Sequence, residues 1–277
     1  MKKVNGAKML KVSEISEFIY CPAKLYLKHT MGFEVQNNEI ITGKVIHEVR
    51  RAFEEIIKHN IWNIKKDMET AEIQKIILHG VPEFIDELQV KYIDSYKAHQ
   101  ENLIKFFHEL KEDLIIEASL NVLKIKKLMK TTKKHGMEIS EMLFPQSLLE
   151  FSLESEELNL KGKVDKIEII NGIYYPVEIK TSFPPLKGTW LSDSLQIAAY
   201  AALIDYELNK EVLVGFVYYT KICERRPVVI NSILHNKLFQ VLDSINTMFE
   251  KEEIPEFKLN KKKCEKCEYM GICEYYG

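Results

Sequence analysis

The stretch that decides the fold runs from Gly162 to Tyr200, and its first part, residues 162–180, has the sequence GKVDKIEIINGIYYPVEIK. Residues on both sides of Asn171-Gly172 are mostly β-branched or aromatic, as is typical of strands. Asn-Gly favours a two-residue turn between antiparallel strands, because both residues tolerate a positive φ. The stretch therefore predicts a β-hairpin.

The hairpin brings two acidic residues together. With Asn171 and Gly172 at the centre of the turn, Asp165 lies opposite Glu178, with Cβ atoms about 5 Å apart. Lys180 shares their face, because side chains alternate along a strand. Two adjacent carboxylates repel each other unless something positive lies between them, and their oxygens suit Mg²⁺ or Mn²⁺. A divalent-cation site and an ordinary surface hairpin with an ion pair are therefore the two interpretations, and both remain open from these residues alone.

A predicted helix follows the hairpin. Gln196 and Tyr200 are four residues apart in it and so project to one side. Ser192 or Ser194 is expected to cap its first turn. Residues 181–185, with two prolines, predict a loop across the site.

Length and composition are those of a globular protein. The chain has 277 residues, 46% hydrophobic and 29% charged, with a net charge of -2 and no apolar run of membrane-spanning length. Residues 1–6 lack the apolar core of a signal peptide, which predicts a cytoplasmic protein. Nucleic acid would be bound by local basic patches rather than by net charge. The candidate lysines are Lys124, Lys126, Lys127, Lys130, Lys133 and Lys134, and then 261–263.

Helical patterns dominate the first half of the chain. Residues 13–30 predict one or two helices, interrupted at Cys21-Pro22 because proline favours a first helical turn. Residues 42–57 predict another helix, in which His47 falls away from the apolar stripe and is therefore no ordinary core residue. Residues 68–114 are helical in pattern, residues 114–122 predict a strand, and the basic stretch to Gly136 predicts a loop or short hairpin.

Strand pairs alternate with helices in the second half, which predicts an α/β or α+β fold with a central mixed sheet flanked by helices. Residues 212–220 and 225–230 predict strands, and residues 232–250 an amphipathic helix. We expect one compact unit with four segments. These are N-terminal helices (1–60), a helical insertion (61–140), a core (141–255) and a cysteine-bearing tail (256–277).

The cysteines form a separate pattern. Cys264, Cys267 and Cys273 lie close together near the C-terminus, and in an intracellular protein such spacing indicates metal more often than disulfides. Three thiolates leave a four-ligand site one short, and Cys21 could complete it. Zinc and an iron–sulfur cluster both remain open from spacing alone. Cys223 is left over as a simple thiol.

The order Asp165, Glu178-x-Lys180, Gln196-x-x-x-Tyr200 resembles the PD-(D/E)xK nuclease superfamily and its RecB-like branch. With Gly43-x-x-x-His47 and the four cysteines, the chain resembles the RecB-like exonucleases numbered four among the CRISPR-associated proteins. The resemblance implies a restriction-endonuclease-like core, with the metal held by His47, Asp165, Glu178 and the carbonyl of Ile179. It implies that Lys180 positions or activates the attacking water, and that Gln196 and Tyr200 steady the site or the DNA backbone.

The same resemblance implies a 4Fe-4S cluster on Cys21, Cys264, Cys267 and Cys273, which would pin the two chain ends beside the core. It also implies Mn²⁺- or Mg²⁺-dependent exonuclease activity on single-stranded DNA, trimming prespacers in CRISPR adaptation. DNA is then the expected partner, with the CRISPR integrase and a second copy of the chain as further candidates. A RecB-like nuclease of recombination or repair, and a non-catalytic iron–sulfur DNA-binding subunit, are the alternatives.

Overall fold

The computed structural model describes residues 9–32 and 38–276. Residues 1–6, on which the prediction of no signal peptide was based, lie outside the described residues. The chain divides into two compact units, one of Met1–Val35 with Ser147–Gly277 and one of Gln36–Gln146. The second unit thus includes residues from before position 61 as well as the predicted insertion. Among the described helices, none has both the length and the apolar character needed to cross a membrane.

The first unit is built on a mixed sheet, as predicted. Its strands are β1 Leu10–Lys11, β2 Ser147–Ser155, β3 Leu160–Ile170, β4 Ile173–Lys180, β5 Val214–Tyr219 and β6 Glu224–Val229. They follow the order β1-β3-β4-β5-β6, with β2 also paired to β3. The pairs β1–β3 and β4–β5 are parallel, and the other pairs are antiparallel.

The predicted hairpin and its register are confirmed. Asn171 and Gly172 both have positive φ, 53° and 77°, as a type I′ turn requires. Ile170 pairs with Ile173, and the ladder continues to Lys166 opposite Val177. The next residues in this register are Asp165 and Glu178.

The described residues of the first unit also form five α-helices, of which the first and the third along this unit pack directly on the sheet. They are α1 Val12–Tyr20, α2 Pro22–Met31, α8 Leu191–Leu208, α9 Ser232–Lys251 and the short α10 Lys261–Cys264. The break at Cys21-Pro22 is confirmed, with Pro22 opening α2. The predicted serine cap of α8 is wrong, because the helix begins at Leu191 and Trp190 occupies its N-cap. Ser194 lies inside the first turn, where its hydroxyl donates to the carbonyl of Trp190.

A glycine allows α1 and α8 to approach β3 closely. A Cβ at Gly162 would lie 2.7 Å from Val12 Cγ2 and 2.9 Å from Tyr200 Cε1. Contacts this short are not tolerated between carbon atoms, so only glycine fits at the crossing. Val12 and Tyr200 belong to one buried cluster that also contains residues of β3 and α9. The close crossing brings α8 directly against the strand that carries Asp165.

The second unit is helical among its described residues. Its helices are α3 Asn38–Ile61, α4 Thr70–Leu78, α5 Val81–Ser95, α6 Gln100–Thr132 and α7 Met137–Leu143. The prediction of a strand at Leu114–Val122 is wrong, because these residues lie within α6. Leu114, Ala118 and Val122 are buried at a spacing of four, which is the helical period. The basic stretch predicted as a loop or hairpin also lies largely in α6, and Lys126 donates to the carbonyl of Met68.

Candidate functional site

Two buried carboxylates lie where β3 and β4 diverge. Asp165 Oδ2 accepts a hydrogen bond of 2.7 Å from the amide of Ile179, the residue after Glu178. Both Asp165 and Glu178 are less than a tenth exposed. Buried carboxylates of like charge are stable only where cations or hydrogen bonds compensate them. The two carboxylates of Asp165 and Glu178 therefore need a positive group or hydrogen-bond donors beside them.

Lys180 is one such positive group. Its Nζ lies 3.1 Å from Glu178 Oε1 and also donates to Gln196 Oε1. Burial lowers the pKa of Lys180, but the charges of Glu178 and Asp193 and the hydrogen bond to Glu178 outweigh burial, so the pKa is raised overall. The side chain thus remains an ammonium group, fixed beside the carboxylates.

Gln196 and Tyr200, the two residues predicted to share one side of α8, both lie beside the carboxylates and Lys180. Gln196 and Tyr200 are both buried, and Gln196 Oε1 accepts a hydrogen bond from the ammonium group of Lys180. The hydroxyl of Tyr200 donates to the carbonyl of Lys163 at 3.0 Å. Burial, followed by the charges of Glu178 and Asp165, raises the pKa of Tyr200 well above its ordinary value. Tyr200 therefore stays a neutral donor at one wall of the site.

Glu150 is a site residue that sequence reasoning missed. Leu149 pairs with Lys166 and Phe151 with Val164, so Glu150 lies opposite Asp165 across β2 and β3. Carboxylate oxygens of Glu150 and Asp165 lie within 4.8 Å of each other. Glu150 has a φ of 50°, an uncommon backbone conformation for a strand residue. Placing Glu150 in the site requires knowing that β2 pairs with β3, and no turn motif in the sequence indicates that pairing.

Asp193 and Tyr219 were also missed. Asp193 is buried on α8, with Oδ1 3.9 Å from Lys180 Nζ. Its Oδ2 accepts a 2.7 Å hydrogen bond from the hydroxyl of Tyr219, which in turn accepts one from the amide of Trp190 at 3.3 Å. Tyr219 pairs with Lys180 in the parallel ladder of β4 and β5. The three-residue spacing from Asp193 to Gln196 was a usable signal, since it places both on one helix face.

His47 lies on α3, in the second unit. Its side chain is exposed, whereas Val45, Ile46 and Val49 around it are buried. This agrees with its predicted position away from the apolar stripe. Its role as a metal ligand stays a prediction.

The four cysteines line one cavity in the first unit. The cavity has a volume of about 280 Å³ and is lined by residues of two segments, 18–27 and 257–273, including Phe18, Phe257 and Tyr269. The cysteines that line it are Cys21, Cys264, Cys267 and Cys273. Burial, and then the neighbouring thiols of Cys21 and Cys273, raise the pKa of Cys264. No disulfide joins any of the five cysteines, all of which the structure describes.

Polar contacts hold the two chain ends together around this cavity. Lys24 forms an ion pair of 3.0 Å with Glu268, and Lys263 Nζ donates to the carbonyl of Tyr20 at 3.1 Å. The hydroxyl of Tyr20 donates back to the carbonyl of Lys263 at 3.2 Å. Cys223 lies elsewhere, in the turn between β5 and β6, where its thiol donates to the carbonyl of Thr220. The leftover cysteine of the sequence is thus separate from the cavity.

The sequence matches the family model described as the PD-(D/E)XK nuclease superfamily over residues 10–274. This match covers nearly the whole chain, including the strands, α8 and the cysteine cavity.

Curated relatives match a shorter stretch. A CRISPR-associated exonuclease Cas4/endonuclease Cas1 fusion of Leptospira interrogans is 26% identical over 128 residues, which is 44% of this chain and 24% of the relative. A CRISPR-associated exonuclease Cas4 of Rhodospirillum rubrum is 27% identical over 124 residues, 44% of this chain and 37% of the relative. The matched stretch thus spans well under half of either relative. A solved structure titled "Crystal structure of SSO0001" aligns with a TM-score of 0.32 and 16% identity over 68% of this chain and 81% of that one.

Replacing Tyr219 with Phe removes the hydroxyl that Asp193 accepts from. We expect Tyr219→Phe to lower the free energy of unfolding by about 1–3 kcal/mol, because a buried charged acceptor loses a partner. Chemical denaturation measures this. Tyr206→Phe, an exposed position on the same helix as Asp193, is the matched control and should change stability by less than about 0.5 kcal/mol. Equal effects of the two variants would show that the Tyr219–Asp193 hydrogen bond contributes nothing to stability.

Proposed function

The chain belongs to the PD-(D/E)XK nuclease superfamily, and from that premise we propose that it is a metal-dependent deoxyribonuclease. One observation carries the proposal. Asp165, Glu178 and Lys180 meet at the divergence of β3 and β4, with Gln196 and Tyr200 of α8 against them. These five motif residues of the first unit thus lie together rather than dispersed.

The donor set fits a hard divalent cation. Asp165, Glu178 and the carbonyl of Ile179 would hold it, together with His47, whose imidazole tilts the preference from Mg²⁺ towards Mn²⁺. Glu150 is a further carboxylate within 4.8 Å of Asp165 and belongs among the candidates. A bound cation would supply a water of lowered pKa and would offset negative charge on the scissile phosphate.

The chain's own residues supply the rest of the chemistry. Lys180, as an ammonium group, would stabilise negative charge that develops on the phosphate or orient the attacking water. Gln196 and Asp193 hold that ammonium group in place, since both approach its Nζ. Tyr200 donates to the backbone of β3 and so fixes α8 against the strand that carries Asp165.

We further propose that the substrate is single-stranded DNA, degraded from its ends, and that the role is prespacer trimming in CRISPR adaptation. The names of the relatives, which are CRISPR-associated exonucleases Cas4, support degradation from an end and a role in CRISPR, and the fusion of two of them to a Cas1 endonuclease supports a CRISPR partner such as the integrase. A nuclease of recombination or repair would use the same residues. Co-purification with the integrase separates the two roles.

The cysteine cavity supports a 4Fe-4S cluster on Cys21, Cys264, Cys267 and Cys273. Its volume of about 280 Å³ is many times the roughly 10–15 Å³ of cavity space that one water needs, so it has room for a group of several atoms. Thiolates are the usual ligands of such clusters. We propose a structural role, in which the cluster joins α2 to the C-terminal segment.

Removing the central ammonium group should abolish the activity. We expect Lys180→Ala to reduce hydrolysis of end-labelled single-stranded DNA in Mn²⁺ by at least about 100-fold, because a charge-stabilising group of this kind is typically worth that much. Asp165→Ala should have the same effect. Circular dichroism and iron content should remain those of the unaltered protein.

Lys210→Ala is the matched control, because Lys210 is an exposed lysine of the same unit. It should retain full activity. A fully active Lys180→Ala protein would remove the assignment. An unaltered protein that binds DNA but releases no nucleotides in Mn²⁺ would instead favour the non-catalytic DNA-binding subunit.

The role of His47 is tested by metal binding. We expect His47→Ala to weaken Mn²⁺ binding at least about tenfold, because one ligand is lost. Isothermal titration calorimetry measures this without DNA. His59→Ala is the control on the same helix, since His59 is also exposed and its ring bonds to the carbonyl of Glu55. Equal Mn²⁺ affinity in the two variants would exclude His47 from the site.

The cluster is tested by iron content and thermal stability together. Purified protein should contain about four irons per chain and absorb visible light. Cys264→Ala should lose iron and melt at a lower temperature, because closing nearly the whole chain is worth roughly 5 kcal/mol by the argument made for disulfides. Cys223→Ala should keep both. Zinc in place of iron, or an unchanged Cys264→Ala protein, would overturn the proposal.

A further inference from the structure

The loop that follows Lys180 exposes an unusual amount of apolar surface. Phe183 is 66% exposed, Leu186 is fully exposed and Trp190 is 49% exposed. Large apolar side chains grouped on a surface generally mark a binding site. Here the group begins three residues after the proposed catalytic lysine.

Two long side chains hold this loop in place. Arg226 of β6 donates to the carbonyls of Pro185 and Gly188, at 2.6 and 2.7 Å. Trp190 Nε1 donates to the carbonyl of Phe183 at 2.9 Å, across the loop. The exposed rings are therefore presented by a braced backbone, which reduces the entropy lost when a ligand binds.

The hydrogen bonds within the loop also determine which groups the loop exposes to a ligand. Because the indole N–H of Trp190 is satisfied within the loop, the exposed part of its ring offers an apolar face. Between Thr181 and Leu191 the sole ionisable side chain is that of Lys187, which is exposed and positive. Aromatic faces beside a cation suit a ligand with flat rings and negative charge. Unpaired nucleotides have both features, whereas in a duplex the base faces are already stacked.

We propose that residues 181–190 form a subsite for single-stranded nucleic acid, in which Phe183 and Trp190 stack on unpaired bases and Lys187 meets a phosphate. The subsite rests on the proposed nuclease function, because the strand it holds leads to the carboxylates beside Lys180. It gives a physical reason for preferring single strands. It also assigns base contacts to residues outside the motifs of the sequence.

The test uses the two tryptophans of the chain. Trp62→Phe leaves Trp190 as the sole tryptophan, which is excited at wavelengths that the tyrosines of the chain do not absorb. In this background we titrate a single-stranded thymidine 12-mer, and an abasic 12-mer with the same phosphates, in chelator so that nothing is cleaved. The base-bearing strand should quench Trp190 in a saturable manner, and the abasic strand should quench it much less.

Phe183→Ala should then weaken binding of the base-bearing strand about tenfold, within the range measured for one base on one aromatic ring, and binding of the abasic strand less than about twofold. Phe183→Tyr should restore binding, because it keeps the ring. Ile233→Ala is the matched control, since Ile233 is a highly exposed apolar residue of the same unit. It should bind both strands as the unaltered protein does.

Other outcomes would overturn the subsite. Equal losses for both strands, or none, would mean that the protein contacts phosphates alone. A change of molar mass in solution on Phe183→Ala, without loss of DNA binding, would make the loop a protein interface. Failure of the nuclease proposal is separate, since it would appear as absent cleavage in Mn²⁺ while quenching in chelator persists.

Discussion

The site depends on the stabilisation of several buried carboxylates at the point where β3 and β4 diverge. Asp165, Glu178 and Asp193 are all buried, and Lys180 is the cation that lies near each of them, through a contact or through its charge. Buried carboxylates without compensation would repel each other strongly, so the lysine, the amide of Ile179 and the hydroxyl of Tyr219 stabilise them. Three buried acids around Lys180 make the site rich in carboxylate oxygens, which are the ligands that hard divalent ions prefer.

A large part of this site follows from the sequence because a short turn fixes the register. Once Asn171-Gly172 is a two-residue turn, every partner across β3 and β4 is determined, and Asp165 must approach Glu178. Helical spacing then adds Gln196 and Tyr200. Glu150 and Tyr219 could not be found in this way, because they reach the site through β2 and β5. β2 pairs with β3 and β5 pairs with β4 because of the strand order of the sheet. The spacing of residues along the sequence does not predict that order.

Errors in the helical half have a different cause. Residues 114–122 contain the β-branched pair Ile115 and Ile116 directly after Leu114, and β-branched residues in a row favour a strand. The burial of Leu114, Ala118 and Val122 along one face of a 33-residue helix overrides that preference. The serine cap fails for a related reason. The start of α8 is set by Trp190, whose amide bonds to Tyr219 in β5, so tertiary contact displaced a locally favoured cap.

Trp190, at the N-cap of α8, links the residues around Lys180 to the loop that we propose as a subsite. Trp190 donates its amide to Tyr219, Tyr219 donates to Asp193, and Asp193 lies 3.9 Å from the ammonium group of Lys180. The same Trp190 braces the loop through Phe183, and Arg226, which braces it from β6, lies over the ring of Tyr219 at 5.8 Å. The residues that position the lysine therefore also position the exposed rings. A strand stacked on those rings would be in fixed register with the carboxylates, because both are attached to one frame of β4, β5 and α8.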